Sequence, residues 1–231
     1  MPVTPENLVV ALDFEEMQDA LHFVDALGED VVRYKVGPQL FTPAGPAVIR
    51  ELQARGKQVF LDLKLHDTPQ VVSRTVELVA GFGAEFLTVH CLGGRTMLEA
   101  AGSACRGSKL RVIGVTLLTS QGAADSYSWG WPQPENGMVL RLAGLAMECR
   151  LAGVMCSPQE LQALRPKTVP GFLLTAAGIR MPGQDVFQDD QRRTASPADA
   201  LAWGADLLIV GRPLTQAREP ARALEALFGR T

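Results

Sequence analysis

The amino-acid sequence predicts an α/β fold, a (β/α)₈ TIM barrel formed by one domain over residues 1–231. Three observations carry that expectation. Short β-branched or apolar runs alternate with longer Ala/Leu/Glu-rich stretches of helical period. Gly or Pro stands at most junctions. The alternation repeats eight times in 231 residues, with no linker, low-complexity tract or charge run to divide the chain. Strands alternating with helices pair in parallel through right-handed crossovers. Eight such units in so short a chain favour a closed barrel over an open doubly wound sheet.

The first four expected strands are LVVALD (8–13), VVRYKVG (31–37), QVFLDLK (58–64) and EFLTVH (85–90). RVIGVTLL (111–118), GVMCS (153–157), GFLLTA (171–176) and DLLIVG (206–211) complete the set. Each is a short apolar run, as strands buried on both faces require. Helical patterns lie between them, among them 15–27, 69–82 and 197–204. Two connections are long and polar, 119–137 and 180–196, and both follow strands. In a barrel, loops after strands build the functional rim.

Composition narrows the function. Twenty-two basic and 25 acidic side chains leave a formal charge of −3, which offers no footprint for nucleic acid or an anionic membrane. The N-terminal MPVTPENLVVALD enters a β-like run directly, without the pattern of a signal peptide. No window holds the ~20 apolar residues of a membrane helix. Cys91, Cys105, Cys149 and Cys156 are scattered, with neither CxxC nor a zinc-like His spacing. Buried free thiols in a reducing cytoplasm are expected.

The densest chemistry lies in FLDLKLHDTP, residues 60–69. Asp62 and Lys64 are two apart on a strand and so face one side, while Leu61, Leu63 and Leu65 face the other. Charges directed into a barrel must be paired, or their burial is costly. Asp67 adds a carboxylate just beyond, and Lys35, near the end of the preceding strand, adds an ammonium. These four read as an array of alternating charge. A buried network that only sets strand register has the same spacing, but the position at strand ends favours function. A second stretch, DLLIVGRPLTQA (206–217), ends a strand in Gly211-Arg212. A bare Gly lets backbone N–H groups approach an anion, and Arg offers a fork to phosphate oxygens. Arg180 after strand 7 points to the same corner, where barrels often bind phosphate. The bland alternative is an Arg that caps a helix or meets a surface carboxylate.

The motifs DxKxxD in FLDLKLHD, VTLLTS (115–120), GIR (178–180), DDQRR (189–193) and IVGRPLT (209–215), with ALD (11–13) and KVG (35–37), run through the whole chain. In this order the sequence resembles the orotidine 5′-monophosphate decarboxylases. The resemblance implies cofactor-free, metal-free conversion of orotidine 5′-monophosphate to uridine 5′-monophosphate. It implies Lys64 as the proton donor to C6, flanked by Asp62 and by Asp67, the latter entering from the partner subunit of a homodimer. It implies that Lys35 orders Asp62 and touches the ribose, that Asp13 binds the ribose, and that Thr119 bonds the pyrimidine. It implies Arg180, Gln191, Gly211 and Arg212 on the phosphate and its closing loop.

Two departures stand out. Thr68-Pro69-Gln70-Val71 replaces the usual IPNT, so Val71 offers no hydroxyl to the ribose; Ala176-Ala177-Gly178-Ile179-Arg180 replaces TPGIR. They bear on ribose contacts and loop rigidity and leave the charged array intact. His66 and His90 invite a general-base reading, but a structural hydrogen-bonding role is expected of each, and His22 is expected on the surface. Two competing functions remain. Magnesium-dependent sugar-phosphate lyases such as hexulose-phosphate synthases also carry DxKxxD, but a cation beside Lys35 and Lys64 is disfavoured. A non-catalytic nucleotide-binding barrel would not need a buried ammonium.

Overall fold

The computed structural model describes residues 2–128, 130–131, 135–183, 187 and 189–230. Among them, eight parallel strands close into a barrel in sequence order, with β1 paired to β8. The strands are β1 (Leu8–Leu12), β2 (Arg33–Val36), β3 (Gln58–Leu65), β4 (Phe86–His90), β5 (Arg111–Val115), β6 (Gly153–Cys156), β7 (Leu173–Ala176) and β8 (Leu207–Val210). The flanking helices are α1 (Met17–Leu27), α2 (Pro38–Ala44), α3 (Ala47–Ala54), α4 (Pro69–Phe82), α5 (Gly94–Ala104) and α6 (Ala123–Ser128). They continue with α7 (Glu135–Glu148), α8 (Leu161–Leu164), α9 (Pro197–Ala202), α10 (Arg212–Thr215) and α11 (Pro220–Leu227). The fold is a single-domain α/β barrel, as the alternation predicts. No helix among the described residues is long and apolar enough to cross a membrane.

Strand alternation sorts the side chains into two cores. Val9, Phe60, Phe86, Ile113 and Ile209 fill the barrel interior, and the larger core lies between the strands and the helices. Phe60 and Phe86 pack with ring centroids 5.1 Å apart. At the N-terminal ends of the strands, the Arg33 and Arg111 guanidiniums lie 5.7 and 4.9 Å from the centre of the Phe86 ring. Arg33 is fixed there by a 2.7 Å ion pair to Glu85. The lower end of the barrel is therefore filled, and the opening lies at the C-terminal ends.

β5 ends three residues before the apolar run does. Thr116 directs both its N–H and its hydroxyl to the Met155 carbonyl, each at 3.1 Å. The Leu118 N–H donates to the Gln121 side chain at 2.9 Å. Thr116 thus makes the last backbone bond to β6, and beyond it the Leu118 N–H turns to a loop side chain, so the ladder stops. All four cysteines are free; Cys91, Cys149 and Cys156 are buried and Cys105 is partly so.

Candidate active site

At the C-terminal ends of the strands an open cavity of about 220 Å³ is lined by Asp13, Lys35, Asp62, Lys64, Thr119, Arg180, Gln191, Gly211 and Arg212, among others. Nine of the ten residues singled out in the sequence thus meet in one place. The tenth, Asp67, is exposed, and its carboxylate accepts from the N–H of its neighbour Thr68.

One wall carries the charges. Asp62, 2% exposed, takes the Lys64 ammonium at 2.7 Å and the Lys35 ammonium at 3.5 Å, both on Oδ2. Its Oδ1 accepts from the Thr88 hydroxyl at 2.8 Å. Lys35 also donates to Asp13 at 3.2 Å. Burial opposes charge on Asp62, but the Lys35 and Lys64 ammoniums outweigh it and lower its pKa. Burial likewise opposes charge on Lys35, and the Asp62 and Asp13 carboxylates outweigh that and raise its pKa. Both groups are thus ionised at neutral pH, as a buried pair must be to hold together.

The regular alternation read from the sequence misses one feature. The pairing of β3 with β4 shifts between Leu61 and Leu65, and Lys64 sits in the left-handed region with φ 48°. Lysine pays a steric penalty there, and such strain persists only where the surroundings impose it. The Thr88 hydroxyl supplies part of that constraint by accepting the Lys64 N–H at 2.8 Å. Thr88 was legible in principle: in FLTVH it shares the inward face with Phe86.

The opposite wall is the arginine corner. Arg180 makes a bidentate pair with Asp189, at 2.8 and 2.7 Å. Arg212 donates to Asp190 at 2.5 Å and lies 3.4 Å from Asp189. Gln191 donates its N–H to Asp189 at 3.0 Å and accepts a hydrogen bond from the Thr119 hydroxyl, which ties the corner to the loop after β5. The Arg180 pairing holds the Asp189 carboxyl at about 2. Below, Arg193 is buried against Glu160 and donates to the Leu118 carbonyl at 2.9 Å. Two glycines keep the corner open. A Cβ on Gly211 would come within 3.3 Å of Ala11 and 3.5 Å of Asp13. Gly178 has φ +86°, and a Cβ there would meet the Arg193 carbonyl at 3.0 Å.

His90 stacks with His66 at 5.6 Å and accepts the Leu92 N–H on Nδ1 at 3.3 Å. Burial, with His66 and Lys64 nearby, lowers its pKa to about 4. His22 is exposed. Among the described residues no cluster of three or more His, Cys, Asp or Glu side chains could hold a metal ion.

A closed α/β barrel with ammoniums and carboxylates on one wall of its C-terminal cavity, and arginines on the other, has the architecture of a barrel enzyme. The chain belongs to the orotidine 5′-phosphate decarboxylase / HUMPS family, whose model matches residues 6–227. It is 43% identical over 221 residues to the orotidine 5′-phosphate decarboxylase of Nitrosospira multiformis, covering 96% of this chain and 92% of that protein. With the enzyme of that name from Halorhodospira halophila it shares 44% over 225 residues, covering 96% and 94%. The crystal structure of orotidine 5′-phosphate decarboxylase from Lactobacillus acidophilus superposes with a TM-score of 0.84 at 34% identity, over 97% of this chain and 98% of that one.

Proposed function

We propose that this chain decarboxylates orotidine 5′-monophosphate to uridine 5′-monophosphate in de novo pyrimidine biosynthesis, with its own side chains alone. The observation that carries the reading is the Lys35–Asp62–Lys64 array on one wall of a cavity whose other wall holds Arg180 and Arg212. The arginines take the 5′-phosphate, with Gly211 and Gln191 beside them, and Thr119 bonds the pyrimidine. Asp13 and Lys35 take the ribose. The pyrimidine then lies against Lys64.

The bond from C6 to the carboxylate breaks, CO₂ leaves, and the electron pair stays on C6. The ring delocalises that carbanion poorly, so stabilisation must be electrostatic and already in place. The Lys64 ammonium, held by Asp62, faces the developing charge and transfers a proton from Nζ to C6. Phosphate binding orders this geometry from a distance. A second carboxylate beside Lys64 comes from Asp67 of the other chain in a homodimer. The side chain's exposure and its turn toward Thr68 support that source. The compartment is the cytoplasm.

Loss of ultraviolet absorbance on adding orotidine 5′-monophosphate tests the activity, and activity undiminished by a chelator separates it from the metal-dependent lyases. Lys64→Ala should abolish turnover while uridine 5′-monophosphate still binds. A variant keeping more than about a hundredth of wild-type kcat would exclude Lys64 as the proton donor, since a positioned acid contributes 10²–10⁴-fold.

A further inference from the structure

The arginine corner is occupied by anions of the chain itself. Among the described residues, Asp189 and Asp190 stand against Arg180 and Arg212. The two carboxylates are not equivalent. Asp189 is 29% exposed, grips Arg180 with both oxygens and also accepts the Gln191 N–H, so it is built into the loop. Asp190 is 66% exposed and reaches Arg212 through one oxygen, with a 3.3 Å contact from the Gln191 side-chain amide. It can turn into solvent without breaking the fold.

We propose that Asp190 is a built-in counter-anion. It holds Arg212 in the absence of ligand, gives it up to the substrate's phosphate, and takes it back as the product leaves. The inference rests on the assignment of Arg212 to the phosphate. A phosphate carries up to two negative charges and three strong acceptor oxygens, against one charge and two oxygens for a carboxylate. It therefore displaces Asp190, but the net gain is the difference between the two pairings. Asp190 lowers phosphate affinity in two ways. It must be removed from Arg212, and its charge then remains close to the bound dianion. The same competition keeps the product from being held too long, because Asp190 re-pairs with Arg212 as the nucleotide departs.

The test is the affinity of uridine 5′-monophosphate, and of uridine without the phosphate, measured by calorimetry at fixed ionic strength. Four proteins are compared: wild type, Asp190→Asn, Asp190→Glu and Arg212→Ala; the double variant Asp190→Asn/Arg212→Ala completes the set. Asp190→Asn should bind the nucleotide about three- to tenfold more tightly, the range expected of one exposed ion pair plus one like-charge contact. It should bind uridine as the wild type does, and release the nucleotide more slowly. Asp190→Glu restores the competing charge and should return the affinity toward wild type. In the Arg212→Ala background the gain should vanish. Unchanged or weaker nucleotide binding by Asp190→Asn, with Arg212→Ala weakened as expected, would overturn the inference and leave the phosphate assignment standing. Equal tightening toward uridine would also overturn it, since the effect would not act through phosphate. Arg212→Ala binding as tightly as wild type would instead remove the phosphate assignment, and the inference with it.

Discussion

Asp62 depends on three donors, and the one outside the ammonium pair is the most informative to remove. Thr88→Val keeps the shape but deletes the hydroxyl that donates to Asp62 and accepts the Lys64 N–H. A hydrogen bond to a charged group contributes about 1.5–3 kcal/mol. The variant should therefore lose about tenfold or more in kcat, because Lys64 is no longer held in its strained backbone. Wild-type turnover in Thr88→Val would show that the hydroxyl positions nothing. His90 gives a pH signature. Its folded-state pKa of about 4 lies below the ordinary 6.5, so between those values the unfolded chain binds a proton that the folded chain does not. Its stabilising effect is complete above about pH 6.5 and is lost as the pH falls toward 4, by on the order of 2 kcal/mol. Urea titrations of wild type and His90→Gln across that range should diverge on the acid side; parallel curves would count against it. The spacing of Asp62 and Lys64 was legible because it follows from strand period alone. The left-handed turn at Lys64 was not, because it depends on a hydroxyl 24 residues away.

Elements were easiest to read where a single period runs between strong stops. The helix expected over 69–82 is Pro69–Phe82, opened by proline at its first position and closed by Gly83 in the left-handed conformation. The strand expected over 111–118 stops at Val115: Thr116 makes the last bond to Met155 of β6, and the Leu118 N–H and carbonyl are taken by the side chains of Gln121 and Arg193 in the loops. The same loops meet at Arg193 and Glu160, 7% and 1% exposed. Glu160 also accepts the Ser157 N–H at 2.7 Å, and the Ser157 hydroxyl donates to the Arg193 carbonyl at 3.0 Å. One buried pair thus pins the arginine-bearing loop to the end of β6. Glu160→Gln removes the Glu160 charge from a buried guanidinium and should cost about 3–5 kcal/mol in urea unfolding. Replacing both partners, as Arg193→Met with Glu160→Leu, should recover most of the stability but not the tight phosphate binding. A single variant costing under about 1 kcal/mol would show that the pair is not what holds the loop.

The whole molecule raises the question of how many chains make one site. In the proposed homodimer each site takes Lys64 from one chain and Asp67 from the other. Mixing inactive Lys64→Ala and Asp67→Ala proteins and letting their subunits exchange makes half the dimers hybrids, each with one intact site. About a quarter of wild-type activity should return. A mixture whose tagged chains demonstrably exchange, yet which stays inactive, would place Asp67 in its own chain's site. Composition told nothing of this: a formal charge of −3 is as compatible with a monomer as with a dimer. What could be read of the molecule as a whole was the eightfold alternation, because every unit repeats the same physical demand for a buried strand under a helix.

The aromatic floor beneath the cavity has a consequence for traffic. Phe86, clasped by Arg33 and Arg111, packs with Phe60 at the end of the barrel remote from the site, and buried apolar side chains fill the interior between. The cavity opens at the C-terminal ends of the strands, and Arg180 and Arg212 line it there. In the proposed reaction the nucleotide enters from that side, and the CO₂ formed within has a packed aromatic floor behind it. Gas and nucleotide then share the open side of the barrel, and whatever governs the arginines there bears on the departure of both.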